Sequence, residues 1–166
     1  DIENAPRLIL PGVGAFAAAM EALRKSELVE PLKARIAADK PTMTICLGLQ
    51  LLAKTSEESP GEEGFGIVDA QVKRFPNTVR VPQLGWNKIS PVGDCKLLTE
   101  GYVYFANSYR IPEVPEGWNG AVSEHAGSFV AALEKGNLLA CQFHPELSGE
   151  FGASLLKQWV QGDASC

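Results

Sequence analysis

The chain has 166 residues, 45% hydrophobic and 21% charged, the composition of one globular domain with a sizeable core. Its formal net charge of -5 and the lack of any basic run argue against nucleic acid as the main partner. No apolar stretch is long enough to cross a bilayer and no secretory leader opens the sequence, so a cytoplasmic or organellar-soluble protein with no membrane partner is expected.

The first element in chain order is "RLIL", residues 7–10, a short strand ending at a Pro-Gly turn. "AFAAAMEALRKSEL" is rich in helix formers, with Phe16, Met20 and Leu23 on one face. A second helix follows over about residues 28–38, with Pro31 in its first turn. "TMTIC" is a continuously apolar run, the pattern of a strand buried on both faces. "LGLQLLAKTS" then reads as helix. Strand, helix, strand, helix implies parallel pairing with right-handed crossovers.

After Gly61 the texture turns to strands. "FGIVDAQVKRF", "VRVPQLGWNKISP" and "YVYFANSYRI" are separated by Pro, Gly and Asn turns. "GNLLACQFHPE" is another buried strand that runs into a polar loop. "SGEFGASLLKQWVQ" predicts a closing amphipathic helix with Phe151, Leu155, Leu156 and Trp159 as its apolar stripe. Core packing is the simplest reading of these stripes.

The four cysteines are Cys46, Cys95, Cys141 and Cys166, none in a Cys-x-x-Cys pair, and only two histidines accompany them. That spacing offers neither a zinc site nor a dense disulfide framework, so reduced thiols, no metal and no cofactor are expected. A lone cysteine in apolar company is ordinarily packing. Cys46, however, sits at a strand-to-helix junction. Such a turn lifts a side chain above the sheet edge and sets it at a helix N-terminus, whose N–H groups favour thiolate and stabilise an oxyanion. Gly48 lets the backbone pack closely there.

Two further stretches bear on Cys46. In "QFHPE" the side chains of His144 and Glu146 fall on one side of extended backbone, so the carboxylate can orient the imidazole. His144 can then move a proton to and from sulfur. His125, in "SEHAGS", has no comparable partner and reads as a solvated loop residue. In "LPGVGAF" a Pro-Gly-x-Gly turn between strand and helix presents backbone N–H groups able to donate to an oxyanion near Cys46.

Together "PGVGAF", "CLGLQLL" followed by "SEE", "VPQLGWN", "YFANSY" and "FHPELSG" resemble the triad-type (class I) glutamine amidotransferases. Among these, they are similar to the glutaminase subunits of imidazole glycerol phosphate synthases. The resemblance implies an α/β, flavodoxin-like fold with a mixed, mostly parallel sheet flanked by helices. It implies that residues 1–166 are a single amidotransferase domain lacking an N-terminal βα unit, whose loss would expose a sheet edge. By the resemblance, Cys46 attacks the carboxamide of glutamine and forms a glutamyl thioester, with His144 as acid and base and Glu146 as its partner. Leu47, with Val13 or Gly14, would supply the oxyanion N–H groups. Gly12, Gln50, Glu58, Tyr104, Asn107 and Ser108 would line the substrate site.

Ammonia would pass to a (β/α)8-barrel cyclase, separate or fused, with "VPQLGWN" near the interface. The sequence departs from the family pattern at Thr44, which replaces the elbow's first glycine. Gln83 and Asn107 stand where histidine is commoner. Another class I amidotransferase subunit, a non-catalytic binding subunit and a γ-glutamyl hydrolase remain open on the sequence alone.

Overall fold

The computed structural model describes residues 2–162; Cys166 lies outside them. Strand β1 (Leu8–Gly12) leads into helices α1 (Phe16–Lys25) and α2 (Val29–Ala37), then strand β2 (Thr42–Cys46). Phe16 and Met20 of α1, and Leu32 of α2, are buried as the apolar spacing requires. A one-turn helix α3 (Leu47–Gln50) follows, then β3 (Ala53–Ser56), β4 (Val68–Arg74), β5 (Gln83–Val92), β6 (Gly101–Asn107) and the short β7 (Tyr109–Arg110). Strands β8 (Asn119–Glu124), β9 (Ser128–Lys135) and β10 (Leu138–Cys141) precede the closing helix α4 (Gly149–Gln161).

The main sheet has the order β1-β2-β10-β9-β8-β5-β6, and β3-β4-β7 form a smaller one. The main sheet is mixed, but its parallel part is confined to β1, β2 and β10. Its remaining pairings are antiparallel, against the expected parallel majority. The reason is connection length: β8 to β9 and β9 to β10 are joined by tight turns, which only antiparallel neighbours can use. Strand β1 ends the sheet on one side.

Successive residues of the central strands serve two cores, one on each face. Met43, Ile45, Leu139 and Cys141 join Leu155 and Trp159 beneath α4. Leu138 and Ala140 join Phe16, Met20 and Leu32 beneath α1 and α2. Every residue of β2 is buried, the double-sided burial that "TMTIC" predicts.

The segment "LGLQLLAKTS" corrects its expectation. Only its first four residues are helical, and Ala53–Ser56 instead pair with β4. Leu47, Leu49, Leu51, Leu52 and Ala53 are all buried, so the run has no polar face to set a helical period. Gly48 further weakens the helix. Strands β8 and β9 carry no signal in the reading above. "SFVAALEK" is rich in good helix formers, yet burial of residues 129–134 on both faces makes it a strand.

Candidate functional site

Parallel pairing brings the candidate groups to one edge. Gly12 is the register partner of Cys46, and Cys141 that of Ile45. The chain beyond β1, the elbow beyond β2 and the His144 loop beyond β10 therefore emerge together at the C-terminal ends of adjacent strands. A cavity of about 330 Å³ lies at this edge, lined by Gly12, Val13, Ile45, His144 and Glu146 among others, with Cys46 outside its lining. A larger groove, about 1020 Å³, lies at the other ends of these strands and is lined by none of Cys46, His144 and Glu146.

Cys46 holds φ 54° and ψ -111°, a left-handed conformation rare outside glycine. Such a residue costs about 1–3 kcal/mol and persists only where its surroundings fix it. Two glycines do so here by close approach. A Cβ on Gly48 would stand 2.3 Å from the carbonyl oxygen of Leu10, and one on Gly12 2.8 Å from Cβ of Leu47. Thr44 fits the elbow in place of a glycine: it is fully buried and lies beside Gly48, but its hydroxyl finds no partner among the described residues.

Burial raises the Cys46 thiol to about 11, against a weaker pull downward from the Leu47 N–H and a small upward push from Glu146. The expected helix N-terminus is a single turn, too short to overcome desolvation. At neutral pH the resting group is a thiol. Among the described residues no hydrogen bond joins it to His144; its Sγ instead meets Nε2 of Gln142 at 3.8 Å.

His144 and Glu146 form the expected pair, Nδ1 to Oε1 at 2.7 Å. The route differs from the extended backbone of the sequence reading. Residues Pro145–Leu147 make a 3-10 turn, which folds the carboxylate back to the ring. The loop is fastened to β6: the His144 N–H donates to the Tyr104 carbonyl at 2.9 Å. Ser148 Oγ donates to the His144 carbonyl at 2.6 Å and accepts from the Tyr104 N–H at 2.9 Å. Ser148 carries no signal in the sequence; four residues beyond the histidine, it reads as a loop serine.

The remaining candidates divide. Val13 is 84% exposed, and Gly14, at φ 95°, has open space around it. Glu58 Oε2 accepts the Phe16 N–H at 2.8 Å and so caps α1, which begins just beyond the Pro-Gly-Val-Gly turn. Tyr104 stacks edge-on against Trp86, with ring centroids 6.2 Å apart. Gln50 and Asn107 are buried and both donate to the Tyr109 carbonyl, at 3.1 and 2.9 Å. Ser108 is engaged through its backbone carbonyl by the Phe75 N–H. His125 is less free than expected: its ring packs edge-on against Phe75 and its Nε2 lies 2.9 Å from the Arg80 carbonyl.

Comparison with known proteins places this geometry. The family model for glutamine amidotransferase class-I matches residues 2–161. The imidazole glycerol phosphate synthase subunit HisH of Oceanobacillus iheyensis is 42% identical, over 97% of this chain and 82% of that protein. The chloroplastic imidazole glycerol phosphate synthase hisHF of Arabidopsis thaliana is also 42% identical, over 96% of this chain, which spans only 28% of the plant protein. A crystal structure of a glutamine amidotransferase superposes with a TM-score of 0.70 at 20% identity, covering 96% of this chain and 79% of that one. No helix among the described residues is long and apolar enough to cross a membrane. The chain belongs to the class I glutamine amidotransferase family, within its group of imidazole glycerol phosphate synthase HisH subunits.

Proposed function

We propose that this chain hydrolyses glutamine to glutamate and ammonia, with Cys46 as nucleophile, and delivers the ammonia to a (β/α)8-barrel cyclase forming imidazole glycerol phosphate. The observation that carries the reading is the convergence of a strained cysteine elbow and a hydrogen-bonded His144–Glu146 pair on one sheet edge. With Nδ1 committed to Glu146, His144 has Nε2 for proton exchange. It accepts the Sγ proton as sulfur attacks the carboxamide carbon, then returns it to the departing ammonia. Water, deprotonated by the same imidazole, cleaves the glutamyl thioester. Oxyanion charge would be met by the Leu47 N–H and one from Val13 or Gly14.

The partner surface is the face of β5 and β6. Leu84, Trp86 and Tyr102 are each more than half exposed there, an apolar patch suited to a docked protein. The chloroplastic relative, whose name joins H and F, is much longer than this chain, as a fusion of two such subunits would be. Ammonia release, measured with and without a cyclase barrel and its phosphoribosyl-type ligand, tests this. Stimulation by the loaded partner, abolished in Cys46→Ala, is the expected result. Activity that survives Cys46→Ala overturns the reading.

A further inference from the structure

Gln142 ends the strand run that leads to His144, and it is fully buried. Its carboxamide lies between Gln50 and the nucleophile. Gln50 Nε2 donates to Gln142 Oε1 at 3.0 Å, and Gln142 Nε2 reaches Cys46 Sγ at 3.8 Å. The same Gln50 nitrogen donates to the Tyr109 carbonyl at 3.1 Å. That carbonyl fixes the direction of the relay. A backbone C=O only accepts, so Gln50 must turn its NH₂ toward Tyr109. The second hydrogen of that NH₂ then requires an oxygen, which Gln142 supplies. The only group Gln142 has left to face the sulfur is its own NH₂.

We propose that Gln142 is a catalytic hydrogen-bond donor to Cys46 Sγ, and that Gln50 is the positioning residue that aims it. The inference rests on the assignment of Cys46 as nucleophile. When the Sγ proton moves to His144, the electron pair stays on sulfur, inside a site whose burial disfavours that charge. A side-chain N–H already directed at sulfur strengthens as the charge forms, because hydrogen bonds to ionised acceptors are the stronger ones. Gln50 therefore acts beneath the nucleophile as well as at any substrate contact.

The test is the pH dependence of Cys46 alkylation by iodoacetamide on the intact chain, read by mass spectrometry on the Cys46 peptide. This reports thiolate whether or not glutamine turns over, so it fails separately from the glutaminase reading. In Gln142→Met, which keeps the shape and removes the donor, the titration moves up by about one unit. Alkylation at about pH 9 then slows roughly tenfold. Gln142→Glu moves it further, and Gln50→Met moves it less but in the same direction. Circular dichroism confirms that each variant is folded. Should Gln142→Met not fold, the side-chain amide resonances of Gln142 in the unaltered chain must follow the Cys46 titration. An unchanged titration in folded Gln142→Met, or amide resonances indifferent to Cys46 ionisation, overturns the proposal.

Discussion

The two loops that flank Cys46 are built differently. The His144 loop is fastened at several points: to the Tyr104 carbonyl, through Ser148 to both His144 and Tyr104, and by Gly152 packed beneath the Pro145 carbonyl. The turn beyond β1, Val13–Gly14, is anchored on either side. Gly12 is wedged against Leu47 and Gly48, and Glu58 caps the helix beyond. Between those anchors Val13 projects into solvent and Gly14 turns in open space. The half of the site proposed to move the proton is thus set in place by the fold, while the half that would bind the oxyanion is hinged. A hinge of that kind can be reset by a docked partner at small cost, since glycine tolerates either sign of φ.

Breaking the fixed half should have the largest effect. His144→Ala is expected to lower partner-stimulated glutaminase kcat by about 10³-fold or more, leaving KM little changed, as steady-state kinetics would show. Ser148→Ala keeps the imidazole but frees its loop. It leaves the Tyr104 N–H without a partner, so thermal unfolding should show a loss of about 1–2 kcal/mol, together with a roughly tenfold lower kcat.

The hinged half should respond in the opposite proportion. Gly14→Ala meets no neighbour but must hold φ 95°, so a cost of about 1 kcal/mol is expected in denaturant unfolding. Its activity loss should appear mainly as reduced stimulation by the loaded barrel, with basal ammonia release less affected. Equal losses in both would erase the contrast between the loops.

The elbow they share sets a pH dependence instead. The folded-state pKa of Cys46 is raised from 9.0 to about 11, so the native state retains a proton that the unfolded chain gives up. The resulting stability is fully present below about pH 9 and lost as pH rises toward 11. Cys46→Ala should flatten the alkaline slope of stability in denaturant titrations, leaving the part due to Cys141 and Cys95, whose thiols burial also pushes up.

The strained elbow at Cys46 and the His144–Glu146 pair were legible because each has a local signature: a cysteine after an apolar run, and a His-Pro-Glu segment closing another. Geometry beyond one segment was not legible. "LGLQLLAKTS" carries no polar face, and only the pairing of residues 53–56 with β4 reveals it as a turn and a strand. Strand β9 is written in helix-forming residues, and its burial between neighbouring strands decides the outcome. The thiolate expected at Cys46 depended on a full helix behind it, which a single turn does not supply. Gln142 and Ser148 matter through partners 96 and 44 residues distant, which no spacing rule connects.

The central claim, that Cys46 attacks glutamine, is tested most directly by a chloroketone analogue of glutamine. After incubation with the chain and its ligand-loaded barrel, peptide mass spectrometry should find the label on Cys46, formed faster than without the barrel and suppressed by glutamine. Labelling of Cys95 or Cys141 in its place, or labelling of Cys46 that glutamine does not slow, would contradict the account.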